Sequence, residues 1–113
     1  MKIAIIGSRN LTVTDFSDYI PHEACEIVSG GARAIDSCAR IYAETYGMKL
    51  TEFLPEYNKF GRSAPLKRNL QIIDYADEVI AFWDGKSRGT KYVIDTCKKS
   101  GKKIHVITIC PNA

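Results

Sequence analysis

The sequence predicts an α/β fold, a three-layer αβα sandwich around a five-stranded parallel sheet in the order 3-2-1-4-5. Three observations predict it. Short, continuous apolar runs alternate along the chain with segments whose apolar residues recur at three- and four-residue spacing. KIAII and EVIAFW lack polar alternation, as strands covered on both faces do. Glycine or proline stands at most of the junctions, where the chain must turn. Five strands alternating with four helices, joined by right-handed crossovers and short loops, then give a parallel sheet with helices on both faces.

Each element follows in order. KIAII, Lys2 to Ile6, is a buried strand ending at Gly7. TDFSDYI, Thr14 to Ile20, spaces Phe16, Tyr19 and Ile20 for a short helix capped by Thr14 and stopped by Pro21. EIVS, Glu26 to Ser29, is strand two. From Ala32 to Tyr46, Ile35, Cys38, Ala39, Tyr42, Ala43 and Tyr46 form an apolar stripe, with Asp36, Arg40 and Glu44 as four-residue charge pairs and Gly47 as the C-terminal stop.

KLTEFL, Lys49 to Leu54, is strand three, followed by the polar loop PEYNKFGRS. A helix with Pro65 in its first turn comes next, with Leu66, Leu70 and Ile73 on one face. EVIAFW, Glu78 to Trp83, is the clearest buried strand. After DGKSRGT, a helix from about Thr90 to Lys99 turns Val93, Ile94 and Cys97 inward, and KIHVITI, Lys103 to Ile109, is strand five.

Length and composition bound the function. The 113 residues make one domain, residues 1–113, and a hydrophobic fraction of 45% with 26% charged residues is that of a soluble globular protein. No long apolar span or leader-like start appears, so no membrane partner is expected and the cytoplasm is the default location. The net charge of +3 does not by itself call for nucleic acid, which is disfavoured as a partner, but it leaves anionic small molecules open. Cys25, Cys38, Cys97 and Cys110 lack close pairing and read as reduced core or near-core residues. His22 and His105 lie apart, so neither a His-based triad nor a metal site is expected.

In such a sheet the ligand crevice opens at the carboxyl ends of the strands where the order reverses, between strands one and four. Three turns meet there: GSRN after strand one, SGGAR after strand two and DGKSRGT after strand four. Glycine lets a backbone come close, helix N-termini attract oxyanions, and arginine pairs with them in a bidentate fork. A nucleotide phosphate fits this chemistry better than an uncharged metabolite does, while Gly30 and Gly31, taken singly, read equally as glycines set by turn geometry. Asp36 reads either as a partner of Arg33 or Arg40, or as an acceptor for a ribose hydroxyl or base amine. The stretch YNKFGRSAPLKRN adds Lys59, Arg62, Lys67, Arg68 and Asn69 around Tyr57 and Phe60, either as a solvated loop or as groups that stack a base and clamp phosphate. Trp83 reads as packing rather than stacking.

The segments IIGSR, VSGGARAID, KRN followed by YADEVIAFWDGKSRGT, and the closing GKKIHVI resemble the SLOG superfamily of Rossmann-like proteins, in particular its small YspA and YpsA-related branch, over nearly the whole chain. Relatives include the DNA-processing protein A family and the LONELY GUY phosphoribohydrolases. The resemblance implies binding of nucleotides or nucleotide-derived ligands at the strand ends. Its binding positions fall on Gly7, Ser8 and Arg9; on Ser29, Gly30, Gly31, Arg33 and Asp36; on Arg68 and Asn69; and on Asp84, Gly85, Ser87, Gly89 and Thr90. Where the phosphoribohydrolases carry a catalytic glutamate, this chain has Val93, and their double-glycine turn is WDG here. Asp36 and Asp84 are then the candidate catalytic residues. The expectation is a ligand-binding or sensor module for a nucleotide derivative, ahead of an N-glycosidase acting on nucleoside monophosphates and of single-stranded DNA binding. No cofactor is called for, and a homo-oligomer is left open.

Overall fold

Four consecutive buried apolar residues, Ile3 to Ile6, put β1 (Lys2–Gly7) at the centre of the sheet. The computed structural model of the chain describes residues 1–13, 15–31 and 34–109. The cap expected from Thr14, the contacts expected from Arg33 and the environment of Cys110 lie outside them.

β1 is flanked by β2 (Glu26–Ser29) on one side and β4 (Glu78–Trp83) on the other, with β3 (Lys49–Glu52) and β5 (Lys103–Thr108) at the edges. All four pairings are parallel, in the order β3-β2-β1-β4-β5, so the fold is the expected Rossmann-like α/β arrangement. Ile3 stands opposite Ile27 and Ala4 opposite Val28; Ile5 and Ile6 stand opposite Ile80 and Ala81. Because side chains alternate between faces, Ile3, Ile5, Ile27, Ile80 and Phe82 line one face against α1 (Ile35–Thr45). Ala4, Ile6, Val28, Val79 and Ala81 line the other, with Ile72 and Ile73 of α3 (Ala64–Tyr75) and Val93, Ile94 and Cys97 of α4 (Arg88–Ser100). Among the described residues, no helix is long and apolar enough to cross a membrane.

The differences from expectation are local. Residues 15–20 form turns rather than a helix. The Asp15 carboxylate accepts from the Ser17 N–H at 2.9 Å and hydroxyl at 2.6 Å, a local alternative to helical bonding. Phe16 still reaches the core, in edge contact with Tyr42 and Phe82. The stretch after β3 is not plain loop: the Glu56 carbonyl accepts from Lys59 and Phe60, winding the short α2 (Tyr57–Phe60) and a 3₁₀ turn over Gly61–Ser63.

On α3 the inward residues are Ala64, Ile72 and Ile73, while Leu66 and Leu70 are exposed. The helix is rotated so that Arg68 and Asn69 flank the carboxyl end of the sheet instead. Tyr46 falls beyond the last turn of α1 and is exposed, and Arg40 leaves the helix surface to pair with Glu52 of β3 at 2.8 Å. Cys97 is buried and Cys38 half-buried, but Cys25 is exposed beside the N-terminus, outside the core.

The opposite, amino end of the sheet is an ion-pair belt. Buried Glu26 accepts from the Tyr75 hydroxyl at 2.5 Å and the Thr51 hydroxyl at 2.7 Å, and buried Glu78 meets His105 at 3.1 Å and Lys103 at 3.8 Å. Both buried carboxylates are thus partnered within the protein.

Candidate functional site

At the carboxyl ends of β1 and β4, where the strand order reverses, lies a crevice of about 1020 Å³. Four sets of residues line it: Gly7, Arg9 and Asn10 after β1; Gly30, Gly31 and Asp36 from the β2–α1 connection; Arg68 and Asn69 of α3; and Asp84, Ser87, Gly89 and Thr90 at the β4–α4 turn. All three glycine-bearing turns therefore meet at one site.

The glycines divide by what surrounds them. A Cβ on Gly7 would stand 2.4 Å from Cγ1 of Ile35, so the bare backbone there admits the first residue of α1. On Gly31, at φ 67°, it would stand 2.5 Å from Cδ2 of Leu54, and on Gly30 it would stand 2.2 Å from Nη1 of Arg68. These positions serve the protein's own packing. Gly89 differs: in the first turn of α4, it opens onto space with nothing within 4 Å of an added Cβ. The first amides of that turn have no intrahelical acceptor, and the N-cap Ser87 makes no side-chain capping bond.

Several residues expected to contact a ligand take part in the site's internal bonding. Ser8, 1% exposed, lies beneath the crevice; its Oγ accepts from the Asp84 N–H at 3.2 Å and stands 3.4 Å from the Thr90 hydroxyl. Ser29 is fully buried, with its Oγ 3.4 Å from the Gly31 N–H. Gly85, at φ 84°, lies in the β4–α4 turn and does not line the crevice. The Asp84 carboxylate accepts from the backbone N–H of Lys86 at 2.9 Å and of Ser87 at 2.7 Å, and these bonds hold it below the usual aspartate value. The Trp83 indole N–H donates to the Ser87 carbonyl at 3.0 Å, tightening the same turn and placing Trp83 as packing.

Arg68 is held on two edges. Its Nη1 donates to the Gly30 carbonyl at 2.9 Å and its Nε to Asn69 Oδ1 at 2.8 Å. Burial pushes its guanidinium below the ordinary arginine value, nearby Asp36 and Tyr57 pull it back up, and Arg9 adds a smaller push downward. Two arginines thus converge on the crevice, with the Asp36 carboxylate beside them. Ala34 enters α1 at φ 57° and ψ −116°, a backbone that side-chain-bearing residues rarely adopt, and it closes the turn that delivers Asp36.

The sequence reading missed Asn10, which sits within the GSRN turn, and the apolar lining residues Ile6, Pro65, Ile72 and Val93. Those residues read as core or helix-start positions, and nothing local in the sequence distinguishes a core residue whose edge faces a cleft. Tyr57 and Lys59 line a separate smaller groove of about 480 Å³, and Lys59 and Lys67 lie near the Phe60 ring, apart from the crevice.

Charged and amide groups interleaved with apolar residues suit a ligand with an anionic group and an uncharged body. No protein-family model, curated protein or solved structure matches the chain.

Proposed function

We propose that the chain is a SLOG-like module that binds a nucleotide or nucleotide derivative in the crevice at the β1–β4 reversal. One observation carries this reading: Arg68, desolvated and hydrogen-bonded in place, has a second arginine, Arg9, as an electrostatic neighbour at the same crevice. Asp36 offsets part of this positive charge, and guanidinium groups match phosphate oxygens in geometry. The amino end of α4, with Gly89 open beside it, adds dipole and amide N–H groups of the right sign. The crevice volume, about 1020 Å³, suits an organic ligand of nucleotide size rather than a lone inorganic ion.

The phosphate is assigned to the Arg9, Arg68 and α4 side rather than to the Ser29-Gly30-Gly31 turn, because Arg68 itself fills the space over Gly30. Binding is favoured over N-glycosidic cleavage. Asp84 is engaged by two backbone N–H groups and held ionised, which suits a brace and not a proton donor. Val93, which also lines the crevice, carries no titratable group.

Native mass spectrometry tests the reading. The purified protein, offered an equimolar mixture of AMP, ADP, GMP and GDP and their parent nucleosides, is expected to retain one or more nucleotides and no nucleoside. Retention of nucleosides alone, or of nothing at micromolar protein, would overturn it.

A further inference from the structure

Arg68 and Asn69 are consecutive in α3, and consecutive helical residues point in different directions, so helix geometry does not by itself bring their side chains together. Yet Arg68 Nε donates to Asn69 Oδ1 at 2.8 Å, with both residues half-buried. On its other edge, Nη1 donates to the Gly30 carbonyl at 2.9 Å across 38 residues of sequence. A Cβ on Gly30 would come 2.2 Å from Nη1 and 2.8 Å from Cζ, so any side chain there displaces the guanidinium. Gly30 does not lie at positive φ, so its lack of a side chain answers to this crowding and not to backbone conformation. Asp36 Oδ2 stands 3.1 Å from the same point, on the flank of the seat.

We propose that Asn69 and Gly30 are positioning residues for Arg68, Asn69 by holding its Nε edge and Gly30 by vacating the space that the guanidinium fills. The proposal rests on the nucleotide-binding reading above. Arginine has many rotamers, and one pinned on two edges presents its remaining donors to a phosphate without first having to be ordered. Asn69, which the sequence suggests as a ligand contact, then acts through Arg68. Gly30, which the sequence reads equally as a turn glycine or a point of phosphate approach, makes room for an arginine instead.

Calorimetric titration of AMP, ADP, GMP and GDP, with adenosine and guanosine as controls, tests this on Asn69→Leu, Gly30→Ala, Arg68→Ala and the two double variants with Arg68→Ala. Each of the first two is expected to weaken the tightest nucleotide about tenfold, the effect of a lost charge-assisted hydrogen bond, and to leave its nucleoside unchanged. In the Arg68→Ala background neither should cost anything further. A second readout needs no ligand: the Arg68 Nε–H resonance should exchange slowly in the natural protein, be lost in Asn69→Leu, and survive in Asn69→Asp, which keeps the acceptor. Circular dichroism and thermal melting establish that each variant is folded.

Full nucleotide affinity in Asn69→Leu and Gly30→Ala, alongside its loss in Arg68→Ala, would overturn the positioning role while leaving the crevice reading intact. An Asn69→Leu penalty that persists without Arg68 would put Asn69 on the ligand itself and overturn its part of the proposal. Binding of none of the four nucleotides by the natural protein would overturn the crevice reading first, and this inference with it.

Discussion

The Asp84 backbone N–H donates to the Ser8 hydroxyl across 3.2 Å, joining the end of β1 to the turn that starts α4. Ser8 is 1% exposed and its Oγ also stands 3.4 Å from the Thr90 hydroxyl, so one buried side chain fixes two walls of the crevice relative to each other. Ser8→Ala removes the acceptor and leaves Asp84 N–H and Thr90 Oγ1 short of a partner. The expected cost is about 1–3 kcal/mol of stability, measurable by urea unfolding. Nucleotide affinity should fall as well, because Gly89 and Thr90 lose their anchor. A Ser8→Ala protein as stable as the natural one would contradict the brace.

Asp84 should titrate below the ordinary aspartate value of 3.8, since the N–H groups of Lys86 and Ser87 both favour its ionised form. Carbon-detected NMR of the side-chain carboxyl across an acid titration reads this directly. The order of the Asp84–Ser87 turn should persist above that value and be lost as the pH falls through the depressed pKa. With Asp84 ionised at neutral pH, incubation with nucleoside monophosphates should release no free base above background. Sustained base release that disappears in Asp84→Asn would favour the hydrolase instead.

At the far end of the sheet, burial pushes the Glu26 carboxyl up, but the Tyr75 and Thr51 hydroxyls and the Lys49 and Lys2 ammonium groups outweigh it, leaving the group below its ordinary 4.5. A carboxylate with a depressed folded pKa adds stability that is complete above the unfolded value and is lost as the pH falls through the folded one. Tyr75→Phe removes the 2.5 Å hydrogen bond and should cost about 1–2 kcal/mol at pH 7. The gap between variant and natural protein should narrow below the ordinary glutamate value. Urea midpoints from pH 7 down to acid report it, and a gap independent of pH would remove Glu26 from the account.

The architecture was legible because its signals are local. The unbroken apolar run of Ile3 to Ile6 and the buried EVIAFW run mark central strands, and Gly47 and Pro65 mark helix ends. What escaped depends on partners distant in the chain. Gly7 reads as a turn glycine until Ile35 is found against it, and Gly30 reads equally as a turn glycine or a point of phosphate approach until Arg68 is found over it. The turns of residues 15–20 escaped because the bonds from Ser17 to Asp15 compete with a helical pattern that is present in the sequence. The three turns of the site were visible as glycine-rich stretches. Ser8 and Ser29 share those stretches with exposed residues, and only burial and bonding separate them from the crevice lining.

The most direct test of the central claim is a residue-resolved NMR titration of the natural protein with ADP and with adenosine, and with GDP and guanosine, comparing backbone amide shifts. The account predicts phosphate-dependent shifts at Arg9, Gly89 and Thr90 and at the Arg68 side chain, which the nucleosides do not produce and which Arg68→Ala abolishes. Identical shifts from nucleotide and nucleoside, or shifts confined to the Tyr57–Lys59 groove, would contradict it.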